Sequence, residues 1–231
     1  MFVLLLIGVL AFAKTSPLAT AAEGVALAIV YDTSGSMKDF VRDKTGAAIS
    51  KDVIARRALD GLVAQLRTFV TNAPAGTTRR VETTLIGFSA EGARVIVPLS
   101  PFDPAKAAEW SKQLPQPNGG TPLGNAAKAG AQTVLKSELS RKHVLVITDG
   151  LNTVGPAPEV LLSPLLKQAE KAGTSVFTHF VAFDVDAKQF APVKKLGATV
   201  VGAADETQLN TQITFILEEK ILLEAEEPTK K

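Results

Sequence analysis

Three short segments of this 231-residue chain carry carboxylates and hydroxyls at spacings that can converge. Asp32-Thr33-Ser34-Gly35-Ser36 directly follows an apolar run, Gly119-Gly120-Thr121-Pro122 opens an amphipathic stretch, and Thr148-Asp149-Gly150 directly follows a second apolar run. Asp32 and Asp149 offer carboxylates; Ser34, Ser36 and Thr121 offer hydroxyls. A donor set made only of oxygen selects a hard divalent cation. Mg2+ suits it best, with near-octahedral oxygen coordination that retains several waters, and Mn2+ or Ca2+ are alternatives. Two aspartates balance a divalent ion. If they act through water, the direct ligands are neutral hydroxyls, and the ion stays electrophilic enough to take a carboxylate from another molecule. Each segment alone has an ordinary reading. Asp and Ser favour turns and helix starts, Gly-Gly-Thr-Pro is a loop before a helix with proline at its first position, and Thr-Asp-Gly is a strand ending in a turn. Their order along the chain, each at a strand end or helix start, is what points to one joint site.

The elements that must position these segments alternate between strand and helix. Val25–Tyr31 and His143–Thr148 are continuous apolar runs, as expected of parallel strands covered on both faces. Further strands are expected at 81–88, 94–99, 175–183 and 198–201. The 94–99 strand follows 81–88 through Ser89-Ala-Glu-Gly92, short enough for a hairpin, so this pair is expected to be antiparallel. Helical spacing covers 49–71, with Val53, Ile54, Leu59, Leu62, Val63, Leu66 and Val70 on one broad stripe. Other helices are expected at 103–114, 122–138, 186–196 and 205–226, and one that ends near Ala172-Gly173 and starts its main part at Ser163-Pro164. Residues 38–48 form an unusually long lead into the first helix. The pattern predicts an α/β fold: a doubly wound, mostly parallel six-stranded sheet with one short antiparallel edge strand and helices on both faces. In such sheets ligands bind beyond the carboxyl ends of the strands, where the strand order reverses.

With Asp32-x-Ser34-x-Ser36, Thr121 in its Gly-Gly-Thr-Pro-Leu123 context and Asp149 in place, residues 24–220 resemble the von Willebrand factor type A (vWA) domains, and the five residues resemble an intact metal-ion-dependent adhesion site (MIDAS) of a bacterial-type secreted member. The resemblance implies that Ser34, Ser36 and Thr121 are direct or near-direct ligands and that Asp32 and Asp149 act through water. It implies a Rossmann-like sheet and a protein partner that offers an Asp or Glu carboxylate. Met37, Lys38, Asn118, Gly120, Leu151 and Asn152 would form the rim met by that partner.

Composition narrows the alternatives. Cysteine is absent, which excludes disulfides, thiolate metal sites and thiol nucleophiles, and two histidines cannot build a histidine-rich metal centre. A net charge of +2 is too small for a nucleic-acid footprint. Residues 2–13 form a run of twelve apolar residues, short of the roughly 20 needed to span a bilayer. The run suits a secretory signal, with small-x-small sites at Ala11-Phe12-Ala13 and Ala19-Thr20-Ala21. The expected layout is a signal peptide at 1–21, a vWA domain at 22–226 and a solvated tail at 227–231, in a secreted or periplasmic protein with no membrane anchor after cleavage. Two other readings stand beside export: a metal-dependent hydrolase, and a non-exported vWA subunit of a larger assembly. The hydrolase lacks a base, because neither histidine falls at a strand end on the site edge. His179 is expected to be a core histidine with a hydrogen-bond partner, and Trp110 a packing residue. Asp184 and Asp186 follow a strand on the metal-bearing edge, as turn and cap residues or as a second cation site. Arg79-Arg80 and Arg141-Lys142 precede strands that, in the sheet order the resemblance implies, flank the first, which would place all four on the opposite face with Lys136 and Lys171. Cations there fit helix C-termini, each by about 0.3–1 kcal/mol, or an anionic partner.

Overall fold

The run Val25–Tyr31 is apolar at every position, and the chain uses both of its faces. Val25, Leu27, Ile29 and Tyr31 enter one hydrophobic cluster, and Ala26, Ala28 and Val30 enter another, as the period of two along a strand requires. The computed structural model describes residues 22–73, 78–90 and 92–222. The expected signal at 1–21, the last turns of the final helix at 223–226 and the tail at 227–231 lie outside the described residues.

In chain order, β1 (Ala22–Asp32) is followed by a 3-10 turn (Gly35–Lys38), a small hairpin of β2 (Phe40–Arg42) and β3 (Ala48–Ser50), and α1 (Lys51–Thr71). Next come β4 (Val81–Ser89), β5 (Gly92–Pro101), α2 (Pro104–Ala107), α3 (Trp110–Gln113), α4 (Leu123–Val134) and β6 (Leu139–Thr148). The chain continues through α5 (Pro158–Lys171), β7 (Val176–Phe183), a 3-10 turn into α6 (Ala191–Lys194), β8 (Thr199–Ala203) and α7 (Glu206–Ile216), which passes into a π-helical turn at Leu217–Leu222.

The main sheet has the order β5-β4-β1-β6-β7-β8. Every pairing is parallel except β4 with β5. This is the expected doubly wound sheet, but its antiparallel edge strand is ten residues long rather than short. The order reverses at β1, so β1 and its neighbours β4 and β6 end together. Asp32 is level with Phe88, and Tyr31 with Ile147. α1 and α7 pack on one face, through Ile54, Leu59, Leu62, Leu66, Leu209, Ile213 and Ile216. Val53, expected on the α1 stripe, falls off it and is exposed. α4 covers the other face with Leu123, Ala126, Ala127, Ala131 and Val134, joined by Leu162 and Val193. Each large aliphatic buried in this way contributes on the order of 1.5–3 kcal/mol. α4 approaches closely because position 130 is glycine: a Cβ there would lie 2.8 Å from Val30 Cγ2 and 2.9 Å from Val144 Cγ1.

Several boundaries differ from the expectations, each for a local reason. The long lead at 38–48 is a second, two-stranded sheet. Asp43 Oδ1 accepts the amides of Thr45 (2.8 Å) and Ala47 (2.9 Å), turning the chain between β2 and β3. The expected helix 103–114 is two four-residue helices, the first capped by Asp103, which accepts from Ala105 and Lys106. α5 begins at Pro158, and Pro164, read as a start signal, lies inside it. β6 begins at Leu139 instead of His143, because Ala22 at the start of β1 pairs there. Trp110 is buried edge-on to Phe102, the expected packing role. Glu206, at the first position of α7, is buried and accepts the Lys44 amide at 3.0 Å, tying the small hairpin to the last helix.

Candidate metal centre

Asp32 is the last residue of β1 and is fully buried. Its Oδ1 accepts the Ser34 amide at 2.7 Å and its Oδ2 accepts the Thr148 hydroxyl at 2.6 Å, so both oxygens are oriented by the ends of two adjacent strands. Ser34 caps the 3-10 turn by position, and its hydroxyl lies 3.2 Å from that of Ser36. Ser36 in turn donates to Asp149 Oδ1 at 2.8 Å. Thr121 is held by its main chain: its amide donates to Thr153 Oγ1 (2.8 Å), and its carbonyl accepts the Thr153 amide (2.9 Å). A point one Cβ out from Gly150 lies 3.7 Å from Thr121 Oγ1 and 3.9 Å from Ser36 Oγ, so these hydroxyls flank one small space beside Asp149. The loop carrying Thr121 is fastened to the first loop by the Gly35 amide on Gly119 O and the Asn118 amide on Thr33 O, both 2.8 Å. Gly119 has φ +63°, and a Cβ there would sit 2.2 Å from Ala90 Cβ.

Burial sets the electrostatics. It raises the Asp32 carboxyl to about 6, against the opposing hydrogen bonds of Thr148 and Ser34. Burial also raises Asp149, opposed by Ser36 and Lys51. Two buried carboxylates that resist ionisation, next to three hydroxyls, form a donor set completed by positive charge. Part of that charge comes from a residue the sequence reading does not single out. The Lys51 ammonium is 3.2 Å from Asp149 Oδ2 and 2.9 Å from Asp184 Oδ2. Among the described residues no three His, Cys, Asp or Glu side chains cluster as a metal site, so a cation at this edge depends on Ser34, Ser36 and Thr121 as well as the two carboxylates. The all-oxygen chemistry of the set fits a hard divalent ion.

Of the expected rim, Lys38, Asn118 and Leu151 are exposed and Gly120 is partly so. Met37 is not on the rim: the 3-10 turn points it inward, where it is fully buried in the cluster with Tyr31 and Ile54. Asn152 is engaged at both ends of its amide, accepting from Gly124 N at 2.9 Å and donating to Gly155 O at 2.8 Å, which fixes the loop after β6 to the start of α4. Phe40, 71% exposed on the hairpin, and Val154 extend the apolar surface near this edge.

Arg56 braces the approach to the Thr121 loop. Its guanidinium donates to the carbonyls of Ser111, Leu114 (3.2 Å) and Pro115 (2.7 Å), and to Asp52 Oδ2 at 2.8 Å. His179 has the expected buried partner, and that partner is His143: Nδ1 of His143 and Nε2 of His179 are 3.1 Å apart in mid-sheet. Burial lowers His143 to about 3 and His179 to about 4, so both stay neutral. Asp186 caps the turn after β7 through the Lys188 amide at 2.9 Å. On the opposite face, Arg79, Arg80 and Arg141 line a groove of about 400 Å³ with Glu23. Lys142 does not join them. It is buried and donates to Leu139 O, and desolvation lowers its pKa.

Residues 26–214 match the von Willebrand factor type A domain family. Comparison with curated protein sequences finds no match. Solved structures share the fold. The PilB minor pilin from Streptococcus sanguinis superposes with a TM-score of 0.64 at 18% identity over 89% of this chain, and the chain spans 63% of the length of that protein. The vWF domain of the type V pili tip protein Mfa5 from Porphyromonas gingivalis gives a TM-score of 0.56 at 12% identity, covering 90% of this chain and 99% of that one. Proximal thread matrix protein 1 from the mussel byssus, with a zinc-occupied MIDAS motif, gives 0.59 at 16% identity, covering 87% of this chain and 46% of that one.

Proposed function

The chain belongs to the von Willebrand factor type A family, and on that premise we propose that it is an exported protein-binding module whose strand-end site holds a divalent cation and captures an acidic side chain of a partner. One observation carries the reading: Asp32, Ser34, Ser36, Thr121 and Asp149 gather beyond the ends of β1 and β6, where the strand order reverses. Ser34, Ser36 and Thr121 would ligate the ion directly, with Asp32 and Asp149 behind them. When bound, the ion supplies an electrophilic position for a carboxylate of another molecule. The protein's own residues do the rest: Thr148 and the Ser34 amide orient Asp32, and Ser36 orients Asp149. Lys38, Asn118, Leu151 and Phe40 offer an exposed, partly apolar rim to the partner.

Binding is favoured over hydrolysis because both histidines are neutral, buried in mid-sheet and bonded to each other, leaving the site edge without an imidazole base. The pilus proteins and the byssus matrix protein that share the fold, the latter with a zinc-occupied MIDAS motif, are consistent with a protein-binding role. Mg2+ is the ion best matched to the donors, with Mn2+ or Ca2+ as substitutes. Export fits the apolar leader at 2–13, and among the described residues no helix is long and apolar enough to cross a membrane. The test is affinity capture from the native source with and without chelator, alongside a melting curve in millimolar Mg2+ or Mn2+. The reading expects a metal-dependent rise in melting temperature and a partner that elutes with chelator. A melting curve indifferent to both ions, with a partner retained in chelator, refutes it.

A further inference from the structure

Lys51 is the first residue of α1, and its side chain is 7% exposed. Its ammonium bridges Asp149 Oδ2 (3.2 Å), a member of the candidate centre, and Asp184 Oδ2 (2.9 Å), a residue outside it at the end of β7. The placement is built rather than incidental. The Lys51 amide donates to Asp39 O at 2.8 Å, which closes the hairpin onto the turn carrying Ser36. Asp184 adopts φ +54°, and its amide donates to Ala203 O at 2.7 Å, which fixes it against β8. A buried ammonium persists only where carboxylates compensate its lost hydration.

We propose that Lys51 is a resident counter-cation of the metal centre, competing with the divalent ion for Asp149 and thereby setting the affinity of the site. This rests on the metal reading above. Asp32 and Asp149 bring two negative charges to the centre, and Lys51 cancels one. Within Asp32, Asp149 and Lys51 the net charge is −1 and a divalent ion makes it +1; the Asp184 carboxylate outside the centre brings the whole cluster to neutrality, so the ammonium weakens the pull on the ion without abolishing it. Asp184 moderates the ammonium from the far side, its own side chain 42% exposed. Lys51 and Asp184 are positioning and charge-setting residues; neither belongs to the donor set.

The two positions carry opposite signs, and that is the test. Mn2+ binding to the full chain is measured by the loss of the free Mn2+ electron-paramagnetic-resonance signal, with circular dichroism to check folding. Lys51→Met keeps the buried stem and removes the charge; it should tighten Mn2+ binding by about tenfold or more, as the removal of one unit charge a few ångströms away implies. Asp184→Asn keeps the shape and removes the moderating charge, so the ammonium bears more strongly on Asp149; Mn2+ binding should weaken severalfold. A purely structural lysine predicts weaker binding in both variants. If the native chain binds Mn2+ and Lys51→Met binds it equally or less tightly, the inference fails and the metal reading stands. If neither the native chain nor either variant binds Mn2+, both fail. Should Lys51→Met not fold, Asp184→Asn decides alone, and unchanged or tighter binding there overturns the inference.

Discussion

Thr148 donates its hydroxyl to Asp32 Oδ2 at 2.6 Å, joining the last residue of β6 to the last residue of β1. The contact holds a fully buried carboxylate in place but does not offset its desolvation, and the Asp32 carboxyl stays raised to about 6. Its proton is held more tightly in the folded chain than in the unfolded one. Without metal, the stability contributed by this group is complete below about pH 4 and is lost as pH rises through about 6. Asp32→Asn keeps the shape and removes the buried charge. In chelator at pH 7.5 that variant should be more stable than the native chain by about 1–3 kcal/mol, a gain that vanishes near pH 4. The same variant should lose any metal-dependent rise in melting temperature. A native chain whose metal-free stability is flat between pH 4 and 7 contradicts the assignment.

Gly119→Ala should damage the site through the backbone. The residue sits at φ +63°, and the added methyl would lie 2.2 Å from Ala90 Cβ. The loop must shift, loosening the Gly35 amide from Gly119 O and moving Thr121. A loss of about 2 kcal/mol or more in denaturant unfolding is expected, together with a weaker response to Mg2+.

Thr121→Ala should do the reverse. The main-chain links between Thr121 and Thr153 survive the substitution, so stability in chelator should stay within about 0.5 kcal/mol of native. Both carboxylates remain, so the thermal response to Mg2+ should fall only in part, whereas capture of the partner should fall sharply. Partner binding indifferent to this change would detach the partner from the cation.

Arg56 offers a test of the scaffold behind the site. Its guanidinium serves three carbonyls of the 111–115 segment while pairing with Asp52. Arg56→Met leaves those groups and a buried carboxylate without their donor and should cost about 3–5 kcal/mol. Arg56→Lys should recover little, because a single ammonium cannot reproduce the planar fork. Urea unfolding of the two variants measures both effects.

Export is checked by mass spectrometry of the protein isolated from its source. The expected N-terminus lies near Ala22, after the small-x-small site at Ala19-Thr20-Ala21. An intact Met1 in a soluble cytoplasmic fraction overturns the localisation.

What the sequence made legible follows from how local each signal is. Val25–Tyr31 and the apolar half of β6 announce buried parallel strands, because every position is apolar and a polar loop follows. The five donors could be named because each sits in a short motif directly beyond such a run or at a helix start. Lys51 could not be, since its partner Asp149 lies 98 residues away and nothing beside it marks a buried lysine. Met37 misled for the opposite reason: Ser36 and Lys38 flank it, yet one 3-10 turn carries it into the core. The hairpin at 40–50 had a faint signal, Asp43 and Gly46 between two triplets each centred on one β-branched residue, Val41 and Ile49, too short to outweigh the polar residues around it. The break between α2 and α3 had none, because Ala107-Ala108-Glu109 reads as good helix.

The distance along the chain between the donors dictates when the site can exist. Ser36 meets Asp149 across 113 residues and Asp32 meets Thr148 across 116, with the Thr121 loop between them. No N-terminal stretch of the chain that stops short of Asp149 contains the complete donor set. On the proposed function, a cation would find no complete donor set during synthesis until most of the sheet has been made, because pairing at such separation comes late on the folding path. A chain carried across a membrane in unfolded form travels without its ion and takes one from the solution on the far side. A metal recovered at the proposed site would then report the compartment in which the protein folded, rather than the one in which it was translated.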